Sequence, residues 1–330
     1  MLIIGGFSSG GAMTDRQLVG ALFSPGKELW RAYRRHGHLH LLVKSGHEAS
    51  GLTLYRPHLK WPTFVVGMVK FLAKCGLHFP SIKFELSTSV RGAIHAIESE
   101  NQEVVIAVMF GNPNQSARRV VALTQSNAVY KIGFSGSARD TVSREKILLQ
   151  RIRGVSHCPE LDRVVIRDDF EAFSLPWYDP WEDDKVETIL DSWCGGAFRE
   201  LKDFPEWPSI AKLCPELSGT RKIAVALEHG DFAPWNLRAD QAGRAVAIDW
   251  EMGNFEGMAG RDLIHYHLQT LLLLEGLGLR AAVRELVRRI ESSIWIGRWG
   301  WTARDLLLVS LASSWVIPEA QRREVLAWVP

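Results

Sequence analysis

The chain has 330 residues, 46% hydrophobic and 23% charged, with 39 Lys+Arg against 37 Asp+Glu for a net charge of +2. That apolar content excludes a disordered chain, which would combine low hydrophobicity with high net charge. The balanced charge gives no electrostatic case for a nucleic-acid protein. The length suits about two domain-sized cores, large enough to bury most of their apolar surface without staples. Cys75, Cys158, Cys194 and Cys214 lack C-x-x-C spacing and read as reduced core thiols. The start, MLIIGGFSSGGAMTDR, has no basic region before its apolar residues, so no secretory signal is expected. The longest uncharged apolar stretch, Leu306–Pro318, falls short of the ~18 residues that a spanning helix needs. A cytoplasmic protein is expected.

In chain order, residues 1–14 are Gly/Ser-rich and read as a loose end. Their GGFSSGG lacks the G-K-[ST] of a phosphate loop. His36, His38 and His40 would share one strand face, but no acidic or Cys partner stands near them, which favours a solvated strand over a metal site. Leu39–Lys44 and Leu52–Tyr55 read as strands separated by Ser45-Gly46. Trp61–Cys75, with Lys60, Lys70 and Lys74, reads as a short apolar helix packed on the main body. The same composition suits an interfacial helix, which would give peripheral membrane contact through residues 61–75.

From residue 86 the pattern becomes regular. Glu103–Phe110, Arg118–Thr124 and Ala128–Ile132 read as strands, Ala138–Arg153 as a helix, and Arg163–Ile166 and Ala172–Leu175 as two more strands. This is a small antiparallel sheet with one helix inserted after its third strand. A Pro-rich aromatic linker, LPWYDPWEDD, follows. Beyond it helices are expected at about 183–201, 261–274, 279–293 and 302–316, interrupted only by Ile223–Leu227, a loop, and Ala245–Trp250. The organisation is thus residues 1–85 as an N-terminal extension that could complete the small lobe, 86–176 as a β-rich small lobe, and 177–330 as a helical large lobe. Completion is favoured, because two short strands alone are marginal in water.

The segment EHGDFAPWNLRADQAGRAVAIDWE (228–251) carries the chemistry. Asn236 lies five residues after Asp231, and Asp249 thirteen after Asn236, across a short polar hairpin at Ala239–Arg244. A hairpin of that length sets Asn236 and Asp249 on neighbouring strand ends. There an amide oxygen and a carboxylate can share Mg²⁺, which takes few protein oxygens together with substrate phosphates. Asp231, in the loop before them, could accept a proton from an attacking hydroxyl. Upstream, Lys131 sits in an apolar strand and wants a partner. Glu145, fourteen residues on in the next helix, can supply it. A base, two metal-holding oxygens and a cation for the phosphates are the parts of phosphoryl transfer.

HGDFAPWN resembles the H-G-D-x-x-x-x-N catalytic loop of the aminoglycoside phosphotransferase and choline kinase group of the protein-kinase-like fold, and IDWE resembles its I-D-[FW]-E metal segment. The resemblance covers roughly residues 100–270. It implies an α+β, two-lobed fold, with a small antiparallel β-sheet lobe and a larger, mainly helical lobe. It also implies an ATP- and Mg²⁺-dependent kinase acting on a small-molecule hydroxyl. By the same resemblance Asp231 is the catalytic base, Asn236 and Asp249 hold Mg²⁺, Lys131 holds phosphate, Glu145 positions Lys131, and Asp262 buttresses the catalytic loop.

One departure stands out: the loop Gly111–Ser116 is not glycine-rich, which leaves the choice between ATP and GTP open. Expected acceptor-pocket residues are Trp177–Asp184, Glu251, Glu256 and the tail Trp295, Trp299 and Trp301. A sugar or glycan-precursor hydroxyl is preferred to an aminoglycoside antibiotic, because a polycation would want a strongly acidic cleft. The Glu182-Asp183-Asp184 cluster could serve one, but a pI near 8.3 gives no support. The competing class is a non-catalytic kinase-like binding module, whose hallmark would be loss of the base or metal residues. His265 and His267, two apart in a predicted helix, do not face each other as metal ligands would.

Overall fold

The computed structural model describes residues 30–35, 38–54, 67–68, 70–71, 82–84, 88–111, 119–134, 136–181 and 185–330. The chain divides into two compact units, the first running to Lys146 and including Leu161–Trp177, the second comprising Ile147–Glu160 and Tyr178–Pro330. The architecture is α+β, with antiparallel sheet in the first unit and mainly helix in the second.

The first unit holds strands β1 (Trp30–Arg35), β2 (His38–Lys44), β3 (Ile82–Phe84), β4 (Val105–Phe110), β5 (Val120–Thr124), β6 (Ala128–Gly133), β7 (Val164–Ile166) and β8 (Glu171–Pro176). They form one sheet in the order β3-β1-β2-β4-β5-β6-β8-β7. Helix α1 (Thr88–Asn101) precedes β4, and α2 (Gly136–Arg151) follows β6. Both faces of the sheet are covered at β4, so its VIAVMF run is apolar throughout rather than alternating. One face carries Val105, Val108, Phe110, Tyr130 and Ile132 beneath Val90, Ala93, Ile94 and Ile97 of α1. Those four stand at i, i+3, i+4 and i+7, the stripe by which a helix covers a core. The other face gathers Leu41, Val43, Ile106, Ala107 and Leu123 with Leu52 and Leu54. Burying one such aliphatic side chain contributes roughly 1.5–3 kcal/mol.

One reading from the sequence needs correction in this unit. Leu52–Leu54 is a 3-10 turn following the helical turn Glu48–Gly51, not a strand. The Glu48 carboxylate accepts the Gly46 N–H at 3.0 Å and pairs with Arg31 Nε at 2.5 Å, which winds the chain where a short apolar run alone could not decide its period. The sheet is also larger than the five strands read between 103 and 175, because β2 pairs with β4 and brings β1 and β3 with it.

The second unit holds β9 (Asp179–Pro180), α3 (Val186–Ser192), β10 (Cys194–Glu200), α4 (Trp207–Leu213), β11 (Lys222–Glu228), β12 (Leu237–Ala239), β13 (Ala245–Ala247), β14 (Asn254–Met258), α5 (Arg261–Gln269), α6 (Leu279–Glu291), α7 (Ala303–Ser313) and α8 (Glu319–Leu326). Its two small sheets run β10-β11-β14 and β13-β12-β9. The helix expected over 183–201 stops at Ser192, and the chain enters β10 instead. The Gly195-Gly196 pair breaks it, with Gly196 at φ +74°, and pairing with β11 draws the rest into strand.

Residues 1–14, most of Trp61–Cys75, the Gly111–Ser116 loop beyond Gly111, and Glu182–Asp184 lie outside the described residues. Among the described residues, no helix is long and apolar enough to cross a membrane.

Candidate functional site

In the second unit, β11 delivers the chain to His229, Gly230 and Asp231. The backbone N–H of His229 donates to Asp262 Oδ2 at 2.6 Å, and that of Gly230 donates to Asp262 Oδ1 at 3.0 Å. One buried carboxylate at the start of α5 therefore holds two consecutive peptide groups. The fully buried His229 ring completes the fastening: its Nε2 lies 2.8 Å from the Ile248 carbonyl, and its Nδ1 takes the Asp231 N–H at 3.3 Å. A carbonyl can only accept, so Nε2 carries the hydrogen and Nδ1 is left to accept. The ring packs on Trp250 with centroids 4.6 Å apart. Gly230 has no room for a side chain: at φ +81°, a Cβ would meet the Met252 carbonyl oxygen at 2.6 Å.

Pro234–Asn236 turns the chain back toward Asp231. Asn236 Nδ2 donates to the Asp231 carbonyl at 2.8 Å and to its Oδ2 at 3.1 Å, which turns the amide oxygen away as the acceptor. The hairpin pairs Leu237 with Ala247 and Ala239 with Ala245, and the Ile248 N–H donates to the Asn236 carbonyl at 2.8 Å. Asp249 therefore leaves the hairpin one residue beyond Asn236's partner, as the spacing predicts. Its φ of 72° and ψ of 59° lie in the left-handed region, a conformation that costs an L residue of order 1–3 kcal/mol and gathers at functional sites. The donors are an amide oxygen and a carboxylate, both hard. Among the described residues no group of three or more His, Cys, Asp or Glu is placed to cage a metal. This set fits Mg²⁺, which takes one or two protein carboxylates and completes its shell with phosphate and water.

Beneath the loop the electrostatics are those of a buried cluster. Asp262 is pushed up to about 7 by burial and by the neighbouring Glu228 carboxylate, against the pull of the two N–H bonds it accepts. Burial likewise raises Glu228, opposed by Arg261, whose Nη1 reaches Glu228 at 3.0 Å and Glu206 at 2.9 Å. Asp231 stands apart from this cluster, its side chain 23% exposed.

In the first unit, Lys131 and Glu145 meet. Lys131 lies in β6 and Glu145 in α2; Nζ and Oε1 are 2.5 Å apart and both side chains are buried. A second buried pair, Lys146 with Glu171, lies beside it in sequence. The structure thus brings together Lys131 with Glu145 in one unit, and Asp231, Asn236 and the Asp249 strand end in the other.

The tryptophan-rich tail does not serve as expected. Trp299 and Trp301 are buried core, with indole N–H groups donating to Asp191 Oδ1 at 3.2 Å and the Ala259 carbonyl at 2.7 Å. Arg298 covers the Trp295 ring, and Glu256 pairs with Arg199 at 3.1 Å. Trp315, 54% exposed, reaches the His229–Asp231 loop instead, its indole N–H donating to the Gly230 carbonyl at 3.2 Å. A small cleft beside it is lined by Gly230, His265, Ser310, Ser313 and Ser314. His265, set aside in the sequence for its spacing to His267, has Nε2 3.0 Å from Asp231 Oδ1.

The strand–strand–strand–helix–strand–strand order of β4 to β8 and the Lys131–Glu145 pair stand in the first unit, and a carboxylate-pinned loop ahead of a short hairpin stands in the second. By sequence, no family model and no curated protein matches the chain. Solved structures similar to this chain include a macrolide 2'-phosphotransferase from Brachybacterium faecium, at 11% identity over 72% of this chain and 97% of that one, with a TM-score of 0.42. A Plasmodium vivax ethanolamine kinase is 11% identical over 67% of this chain and 79% of that one, with a TM-score of 0.38. An aminoglycoside-3'-phosphotransferase of type VIII is 13% identical over 74% of this chain and 100% of that one, also at 0.38. These likenesses are remote, and the reading that follows rests on this chain's own residues.

Proposed function

We propose that the chain is a small-molecule kinase that moves the γ-phosphoryl group of ATP to a hydroxyl. The observation that carries this reading is Asp231: a carboxylate left partly open to solvent, on a loop whose backbone is pinned by Asp262 and whose side chain is steadied by Asn236. Asp231 accepts the proton of the acceptor hydroxyl as that oxygen bonds to the γ-phosphorus; the bond to the bridging oxygen breaks and ADP leaves with its electron pair. Asn236 and Asp249 hold Mg²⁺, which when bound neutralises charge developing on the phosphate oxygens. Lys131, kept extended by Glu145, takes the nucleotide phosphates.

For the acceptor we favour a sugar or glycan-precursor hydroxyl. The half-open Trp315 ring beside the loop offers a flat apolar face of the kind a sugar ring stacks on, next to a cleft lined by Ser313 and Ser314 together with Glu228, Arg261 and Asp262.

The test is a thermal-shift titration with Mg·ATP, wild type beside Asp249→Ala. A ligand that binds only the native state adds about 2.7 kcal/mol at a hundredfold excess over its Kd. A Mg²⁺-dependent rise in Tm that the variant loses supports the reading. The absence of any rise with Mg·ATP or Mg·GTP favours a non-catalytic binding module.

A further inference from the structure

The helix that fastens the catalytic loop does so twice. Asp262 takes the backbone N–H groups of His229 and Gly230; His265, three residues on and so on the same face of α5, reaches the Asp231 side chain. A carboxylate oxygen accepts, so the imidazole carries its hydrogen on Nε2. Asp231 Oδ1 then receives His265 at 3.0 Å while Oδ2 receives Asn236 at 3.1 Å. Two donors from two different elements, one on each oxygen, fix the plane of the carboxylate.

The imidazole is itself held. Its side chain is only 9% exposed, and its ring lies against Trp315 with centroids 5.2 Å apart and planes at 36°. Trp315 in turn donates to the Gly230 carbonyl. The contacts close a ring from Gly230 through Trp315 and His265 to Asp231. A ring of this kind constrains direction more than it adds stability, since one hydrogen bond to a charged group nets only about 1.5–3 kcal/mol.

We propose that His265 is a positioning residue for phosphoryl transfer, its Nε2–H setting the plane in which the Asp231 carboxylate meets the acceptor hydroxyl. The proposal rests on the kinase reading above, and no proton of His265 is transferred in the step. Its weight comes from geometry: displacing a reacting group by about 1 Å can cost on the order of a hundredfold in rate.

Two measurements on the full chain test it. The first is ADP release from Mg·ATP with water as acceptor, for wild type, His265→Leu and His265→Gln. His265→Leu is expected to lower kcat about ten- to a hundredfold with the KM for Mg·ATP kept within about twofold. His265→Gln, whose amide N–H can replace Nε2–H, is expected to recover most of the loss. Equal loss in both variants, or no loss in the leucine variant, overturns the proposal.

The second is the imidazole ¹⁵N spectrum, with the His265 signal assigned by its absence in His265→Gln. Wild type should show a pyrrole-like Nε2 and a pyridine-like Nδ1, and Asp231→Asn should shift both. A hydrogen on Nδ1, indifferent to Asp231→Asn, overturns the proposal whatever the activity. A wild type that releases no ADP while showing the expected spectrum counts against the kinase reading instead, so the two failures are separable.

Discussion

Lys131 and Asp231 are two of the charged groups on which the proposed chemistry depends, and the chain holds them by opposite means. Lys131 is embedded in an apolar sheet and answered by a buried carboxylate at 2.5 Å, a pair whose desolvation must be offset by its own attraction. Asp231 is left partly exposed, and the control lies in what surrounds it: peptide N–H groups fixed by Asp262, an amide on one oxygen and an imidazole on the other. The first arrangement makes a charge costly to lose, and the second makes a charge free to react. Substitutions in the first should therefore be read mainly in stability, and those in the second mainly in rate.

The sharpest break in that contrast is Asp231→Asn. It should reduce phosphoryl transfer by about 10²–10⁴-fold, the usual worth of a positioned base, while thermal unfolding stays close to wild type. A variant that transfers phosphate at the wild-type rate removes Asp231 from the mechanism.

On the other side, Glu145→Ala removes the carboxylate that lies 2.5 Å from the buried Lys131 ammonium. It should lower unfolding free energy in denaturant by about 3–5 kcal/mol, and the double variant Lys131→Met/Glu145→Leu should recover much of that. If the double variant is no more stable than the single, the pair is not the unit of stability it looks to be.

Asp262 lies between the two cases, buried like Lys131 yet serving the loop of Asp231. Its folded value of about 7 stands above its ordinary 3.8, so the folded chain binds this proton more tightly than the unfolded one. Its contribution to stability is complete below about pH 4 and is lost as pH rises through about 7. Chemical unfolding of Asp262→Asn should show a shallower fall between those limits than wild type; equal slopes would place the titration elsewhere. At the small end, Arg244, 78% exposed in its pair with Asp240, should leave Tm unchanged on replacement by Ala.

How much of this was legible in the sequence depended on how far apart the partners stand. Asp231, Asn236 and Asp249 fall within one short segment joined by one hairpin, so spacing alone set their neighbourhood. Lys131 and Glu145 were legible because a charge inside an apolar strand demands an answer. His265 was not, because its partner lies 34 residues upstream and the question put to it concerned metal spacing to His267. His267 has a different fate, half-buried and drawn down to about 4 by desolvation.

In the first unit, α1 carried its signal in Val90, Ala93, Ile94 and Ile97, though the regular pattern was taken to begin with strands. The charged strand WRAYRR gave no such sign, since its place in the sheet is fixed by β2 and β3 rather than by its own composition. β10 was misread for the same reason: its partner β11 settles a run that is ambiguous by itself.

The N-terminal strands have a consequence for where this chain can be shortened. β4 reads VIAVMF, without a charge or proline, and β2 occupies one of its two hydrogen-bonding sides. A chain beginning near residue 86 would keep every residue assigned to the proposed chemistry and still present that side of β4 as a bare sheet edge. Unpaired edges of this composition recruit other chains, ending in cross-strand aggregates. The first strands act in that sense as a chaperone carried in cis, and a soluble, monomeric truncation would have to supply a charged or covered edge in their place.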